Sequence, residues 1–356
     1  MTLPAKPFAA LCLALTLLVS GCGPRDPNAV RICVGSYNLN NLPFFIADAQ
    51  GYFALEGLNV RTENFAQGGS KVLQALIARS SDVAVGFYDH TIQMQGKHKD
   101  VTAFVSLSRN SGLVMAKAVG SPFDPQRPET IRGLKIGITA AGSSSDFFVR
   151  YYLASHGIPS DAVALIGVGS GASAVAALQQ RKVDLLVNYD PAATLIEESG
   201  AGTIVIDARQ DSGAREVYGG RYPTSVMYAL TDFIEERPDA ATKVARALIR
   251  ALHFIAESSA EEIVAALPDE YVSGDRSAYV KAIENTKPIF SIDGRFDADD
   301  LQTPLRVLSL INPDVAAKQI DLQRTYTNRF VDTAHVELYA RDNGTVGGSI
   351  DSSHVE

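Results

Sequence analysis

The chain has three cysteines, six histidines and no tryptophan in 356 residues. Cys12 and Cys22 fall at its very start, so Cys33 is the only other thiol and no internal disulfide framework can form. His98, His156 and His253 lie in the contexts KHK, SHG and ALHF. None is grouped with other histidines or cysteines at metal-ligand spacing, so neither a metal nor a cofactor is expected. The formal net charge is -8 and no long basic patch occurs, which argues against a nucleic-acid partner. The glycine–serine stretch GSSSDFFVRYYL at 142–153 lacks both the G-x-S-x-G elbow of a serine nucleophile and the GK[ST] ending of a nucleotide phosphate loop. Nothing here marks an enzyme.

What is present begins with a leader. MTLPAKPFAALCLALTLLVSGC carries Lys6, an apolar run from Phe8 to Val19, and small residues before Cys22. The run is short for a bilayer span and has the layout of a secretory signal. Its LVSGC ending resembles a bacterial lipobox, which would make Cys22 the lipidated first residue of the mature protein. That implies residues 1–21 as a removed signal and 22–30 as a tether. The protein would then lie on the periplasmic side of a bacterial membrane, touching it only through the lipid. No second apolar stretch is long enough to cross a membrane.

About 335 residues remain, enough for two packed lobes. VRICVGSYN reads as a strand, NLPFFIADAQGYFALEG as a helix stopping near Gly51 or Gly57, and LNVRTENF as a strand again. GGSKVLQALIAR and SDVAVGF continue the alternation. From about residue 119 a proline-rich connector, SPFDPQRPETIRG, precedes a restart at LKIGIT, with strands again at AVALIGVG, VDLLVNY and TIVIDAR. Such alternation implies an α/β fold with mostly parallel sheets and flanking helices. The division expected is 31–118 for the first part of lobe 1, 119–221 for lobe 2, and 222–356 for the return into lobe 1 with C-terminal helices.

An imperfect repeat supports two lobes. GGSKVLQALIARSSDVAV aligns without gaps on SGASAVAALQQRKVDLLV, pairing Gly69 with Gly171, Leu76 with Leu178 and Asp82 with Asp184. In phase with it, Phe87 and Tyr88 meet Tyr189 and Asp190.

The stretches NNLPFFIADAQGYFALEGLNV, QGGSKVLQALIARSSDVAVG, IRGLKIGITAAGSSSDFFVRYYLASHGI and VDLLVNYDPAATLIEESG carry a family likeness. Over roughly 31–250 the chain resembles the periplasmic solute-binding proteins of ABC importers in the NMT1/THI5-like group, which includes binders of nitrate, taurine, alkanesulfonates and thiamine-precursor pyrimidines. The resemblance implies a two-lobed periplasmic-binding-protein fold of type II character, with a cleft between the lobes. It also implies a monomer that delivers a small-molecule ligand to a permease with its ATPase and performs no covalent chemistry. One departure is GFYDHTIQMQGKHK, where Asp89 and His90 follow a strand that carries small or apolar neighbours in other members.

Within that geometry the loop holding Asn38, Asn40 and Asn41 faces the cleft, with Phe44 as an apolar wall or a core residue. Gln67, Gly68, Gly69 and Ser70 open a helix, where absent side chains expose backbone N–H groups. Tyr88, Asp89 and His90 lie at the carboxyl edge of a strand, where open α/β sheets bind ligands. Adjacent residues do not by themselves form an oriented acid–base pair, so ligand contact, a solvated loop or core capping are the readings left. Arg109 is the cationic candidate for an acidic ligand, with surface charge as its alternative. Asp190 either accepts from a ligand or caps the helix at Pro191. Ser143, Ser144 and Ser145 divide between capping a helix and facing the cleft, and Tyr222 lies near the return strand, placed to sense closure.

Lobe closure over the ligand is the expected mechanism. An organic anion with an apolar body, a sulfonate or carboxylate, is expected, with nitrate beside it and a pyrimidine or other heterocycle as the alternative. A pyrimidine-synthesis enzyme is a lesser reading that the export signal opposes. A collapsed cleft would favour a sensor or structural lipoprotein.

Overall fold

A computed structural model describes residues 26–65, 68–272 and 275–346. The leader, Cys22 and Gln67 lie outside the described residues. Two five-stranded sheets organise the chain. The first comprises β1 (Ala29–Val34), β2 (Asn59–Asn64), β3 (Val83–Phe87) and β4 (Val101–Ser106). The second comprises β5 (Val114–Ala118), β6 (Lys135–Ile138), β7 (Ala164–Gly167), β8 (Leu185–Asn188) and β9 (Gly202–Asp207). A tenth strand, β10 (Ser225–Leu230), returns to the first sheet. The strand orders are β2-β1-β3-β10-β4 and β7-β6-β8-β5-β9.

The two sheets share one topology. β10 runs antiparallel to both its neighbours, as does β5, whereas the other pairings are parallel. In each sheet four strands therefore point one way, and the reversed one is the strand that arrived from the other lobe. The chain changes sheets at 107–113 and again at 219–224. The expected first boundary at 119 is thus corrected: VMAKA belongs to the second sheet. Periodicity alone could not assign it, because a buried apolar run suits either sheet. Residues of β3 and β4 are buried throughout, as helices on both faces of a sheet require.

In lobe 1 the helices begin with α1 (Leu42–Ala49), α2 (Tyr52–Leu55), α3 (Gly69–Ile77) and α4 (Asp89–Gly96). The helix expected to stop near Gly51 or Gly57 stops at the first of them, whose φ of 68° glycine adopts readily, and α2 follows as a separate short helix. Lobe 2 holds α5 (Ser144–Ser155), α6 (Ala172–Gln179), α7 (Ala192–Ser199) and α8 (Asp211–Tyr218). After β10 come α9 (Thr231–Glu236), α10 (Pro238–Glu257), α11 (Ala260–Ala266), α12 (Arg276–Thr286), α13 (Gln302–Ile311), α14 (Pro313–Ala316) and α15 (Arg329–Val346).

The repeat read from sequence corresponds to α3–β3 and α6–β8. Arg79 and Arg181 both leave their helices in the left-handed conformation, at φ 58° and 56°. Asp82 then accepts the Arg31 N–H at 2.9 Å, and Asp184 accepts the Lys135 N–H at 3.0 Å. Each aspartate fixes its strand to the neighbouring one by the same device.

The core of lobe 1 forms between β1–β3, α1 and α10. Val244, Leu248 and Leu252 of α10 are buried at helical spacing, opposite Phe44 and Ile46. The C-terminal helices do not all stay on lobe 1. From α12, Asn285 donates to Thr194 of α7 at 3.0 Å, and Thr286 donates to Asp190 at 3.3 Å, while α13 packs on α5.

The interlobe cleft as candidate functional site

The loops that follow β1, β3, β6 and β8 meet where the two sheets turn their carboxyl edges toward each other. Between them lies a cavity of about 20 Å³, room for roughly one water molecule. The lobes are shut.

Asn38, Asn41, Gly69 and His90 form much of its first wall. The Asn38 amide donates to the Gly35 carbonyl at 2.8 Å, which leaves its Oδ1 buried without a partner. Asn41 donates to the same carbonyl at 3.3 Å and accepts from the Ser225 hydroxyl at 2.9 Å. A Cβ on Gly69 would stand 2.9 Å from His90 Cε1, so the missing side chain is what admits the imidazole. His90 Nδ1 lies 3.3 Å from the Tyr228 hydroxyl, and its buried Nε2 has no partner. Burial holds the His90 pKa below the ordinary histidine value, so the ring is neutral near pH 7.

The second wall is built on hydroxyls. Thr139 Oγ1 donates to Ser143 Oγ at 2.8 Å, Ser143 Oγ donates to the Ala140 carbonyl at 2.7 Å, and Ser145 Oγ lies within 2.9 Å of both partners. Ser143 occupies the N-cap position of α5, yet its side chain makes no capping bond. The expected serine cap is therefore corrected. Asp146 ties the turn instead, accepting the Gly142 N–H at 2.8 Å while paired with Arg150, and so is engaged within its own helix. Ser144 reaches across the cleft and donates to Asp89 at 2.9 Å.

Asp89 stands one layer behind the cavity. It is fully buried and also accepts from the Tyr222 hydroxyl at 3.1 Å. Tyr222 in turn stacks on Tyr218 at 4.3 Å between ring centroids. Burial pushes the Asp89 pKa up, since no fully charged cation is within bonding distance to offset the desolvation.

Other expected residues lie elsewhere. Tyr88 turns its hydroxyl to Thr325 at 2.5 Å and packs on Phe296. Phe44 is a core residue against Phe45 and Phe53. Ser70 is half-buried on α3 and does not line the cavity. Asp190 caps α7 through Thr194 and pairs with Arg209 at 3.2 Å, while its carbonyl accepts the Leu39 N–H across the lobes at 3.0 Å. Arg109 lines a separate surface pocket of about 600 Å³ beside Arg221 and Asp300. No arginine or lysine among the described residues lines the cleft cavity. Tyr189, which suits an aromatic or heterocyclic ligand, does line it, as do Gly35, Phe87 and Thr139, which were not among the expected contacts. The repeat held the signal for two of them, since its partners Phe87 and Tyr189 approach to 6.2 Å in the cleft.

Among the described residues, no group of three or more His, Cys, Asp or Glu is placed to hold a metal ion. No helix there is long and apolar enough to cross a membrane.

The model of the NMT1-like family matches residues 25–268, the segment that carries both sheets and the whole cavity lining. The chain belongs to the NMT1-like family. Within the NMT1-like fold it is similar to a solved protein from Bordetella bronchiseptica RB50, at 34% identity and a TM-score of 0.83, covering 88% of this chain and 98% of that one. The Bacillus subtilis (strain 168) protein YtlA is 25% identical over 265 residues, 72% of this chain and 75% of its own. The alkanesulfonate-binding protein SsuA from Xanthomonas axonopodis pv. citri, solved bound to MOPS, shares the fold at a TM-score of 0.67 and 14% identity, over 87% of this chain and 99% of that one.

Proposed function

We propose that this NMT1-like chain is the solute-binding component of an ABC importer, which closes its lobes on a small molecule and presents it to a permease with its ATPase. The observation that carries the reading is the pair of orphan polar atoms, Asn38 Oδ1 and His90 Nε2, buried in a cavity walled by both lobes. In a permanently collapsed interface such atoms would cost free energy with no return. They fit a cleft that opens and takes a partner, and they weigh against a sensor or structural lipoprotein with a fixed seam.

Asn38 Oδ1 needs a hydrogen-bond donor. A fully ionised oxyanion offers none, and no lysine or arginine among the described residues lines the cavity. A small neutral ligand bearing N–H or O–H groups, such as an amide or a heterocycle, is therefore the preferred class over an organic anion. One observation favours the second reading, a sulfonate or nitrate: α3 and α5 both begin at the cavity, and helix N-termini attract negative charge. The likeness to binding proteins supports a role without covalent chemistry. The leader and its LVSGC ending support anchoring at Cys22 on the periplasmic side.

Thermal-shift titration of the purified protein against neutral pyrimidines, small amides, sulfonates, nitrate and aromatic carboxylates separates these classes. A ligand at a hundred times its Kd stabilises the folded form by about 2.7 kcal/mol. A shift with a neutral donor-bearing compound is expected. A shift confined to oxyanions would reject the preferred class.

A further inference from the structure

Asp89 is the most deeply placed charged group between the lobes, and it does not line the cavity. Its carboxyl accepts from two neutral hydroxyls that reach it from different directions, Ser144 at the start of α5 in lobe 2 and Tyr222 in the return crossover. We propose that Asp89 is a positioning residue, a latch that holds Ser144 across the cleft and draws a proton as the lobes close. The proposal rests on the lobe-closure reading of the cleft.

Its surroundings leave the carboxyl no charged partner. On its own helix, His90 Nε2 stands 4.0 Å away on a ring that burial keeps neutral. β10 contributes Tyr228, α8 contributes Tyr218, and the return crossover contributes Tyr222. α5 contributes Ser144, with Tyr151 behind the tyrosine pair. Burial raises the pKa of Tyr218, Tyr222 and Tyr228, which stay neutral at ordinary pH. A carboxylate sealed among neutral hydroxyls and rings is disfavoured against its protonated form. When the lobes part, Ser144 withdraws with α5 and water reaches Asp89, which then ionises in the ordinary carboxylate range.

The sign follows from that difference. Burial raises the Asp89 pKa in the closed form, so the latch is fully engaged below the ordinary carboxylate pKa. Above it the closed-to-open ratio falls about tenfold per pH unit, levelling off once the pH passes the raised closed-form value. Ser144 stands beside Ser143 and Ser145, so the grip on it also sets the hydroxyl wall against Asn38 and His90.

Small-angle scattering of the ligand-free full chain across pH 4 to 9 tests the latch. The wild type should open progressively as pH rises. Asp89→Asn, a neutral side chain that still accepts from Ser144, should remain compact with no pH dependence. Ser144→Ala should displace the whole curve toward the open form. A wild type whose scattering does not change with pH, or an Asp89→Asn protein that opens at high pH as the wild type does, would overturn the proposal. Should Asp89→Asn not fold, infrared spectroscopy of the wild type decides: a protonated-carboxyl band must fade over the same pH range as the scattering change, and its absence rejects the latch. A ligand-induced thermal shift with pH-independent scattering would reject the latch and leave solute capture standing. Opening with pH in a protein that none of the probe ligands stabilises would do the reverse.

Discussion

Gly69 and His90 act as one unit. The imidazole occupies space that any side chain at residue 69 would take, because a Cβ there would lie 2.9 Å from Cε1. Gly69→Ala should therefore push His90 out of register with Asn38 and weaken ligand binding by about tenfold or more, while overpacking costs about 1–3 kcal/mol of stability. Ligand titration and urea unfolding measure the two effects separately. The family resemblance placed Asn38 and Asn41 at the cleft, and a position just after a strand end placed His90 there; all three line the cavity with Gly69 and Ser143–Ser145. Tyr88 does not. It opens the helix that carries Asp89 and His90, and successive helical residues point about 100° apart, which turns its hydroxyl to Thr325 while His90 faces the cavity. Arg109 failed for another reason: it lies on a crossover, where no period fixes direction.

At the scale of elements, the join between α2 and α10 is the strongest test of packing. Glu56, just after α2, is buried and accepts from Arg246 and Arg250, one turn apart on α10, at 2.6 and 3.3 Å. Removing one partner from a buried pair strands the opposite charge. Arg246 keeps Glu337 as a second partner and Arg250 is partly exposed, so Glu56→Ala should destabilise the fold by about 1–3 kcal/mol in urea unfolding, with the m-value unchanged if the transition stays two-state. Helices and strands themselves were largely readable, since α3–β3 and α6–β8 repeat in sequence as they do in space. This ion triad was not, because its members are far apart in the chain and nothing local pairs them. The allocation of β5 was hidden for the same reason: pairing with β8 and β9 is a non-local choice.

For the molecule as a whole, Cys33 offers an internal reporter. Its thiol sits on β1 with no solvent exposure, near the carbonyls of Val72 and Val83 at 3.6 and 3.5 Å, and burial pushes its pKa up to about 11. At pH 8 only about one thiol in a thousand is then ionised. Iodoacetamide should leave Cys33 unmodified in the native protein and react with it only as the first lobe unfolds, as peptide mass spectrometry across a urea series would record. Modification at native rates typical of a free thiol would contradict the packing of β1 against α3.

The exchanged strands also set an order of events for a chain that emerges from its N-terminus. Sheet two draws all five strands from one continuous stretch, Val114 to Asp207, whereas β4 of sheet one has no strand beside it until β10 arrives. The half of the protein translated second is thus the first able to complete its sheet. The earlier half must wait, with β3 and β4 carrying open hydrogen-bonding edges until β10 pairs with both.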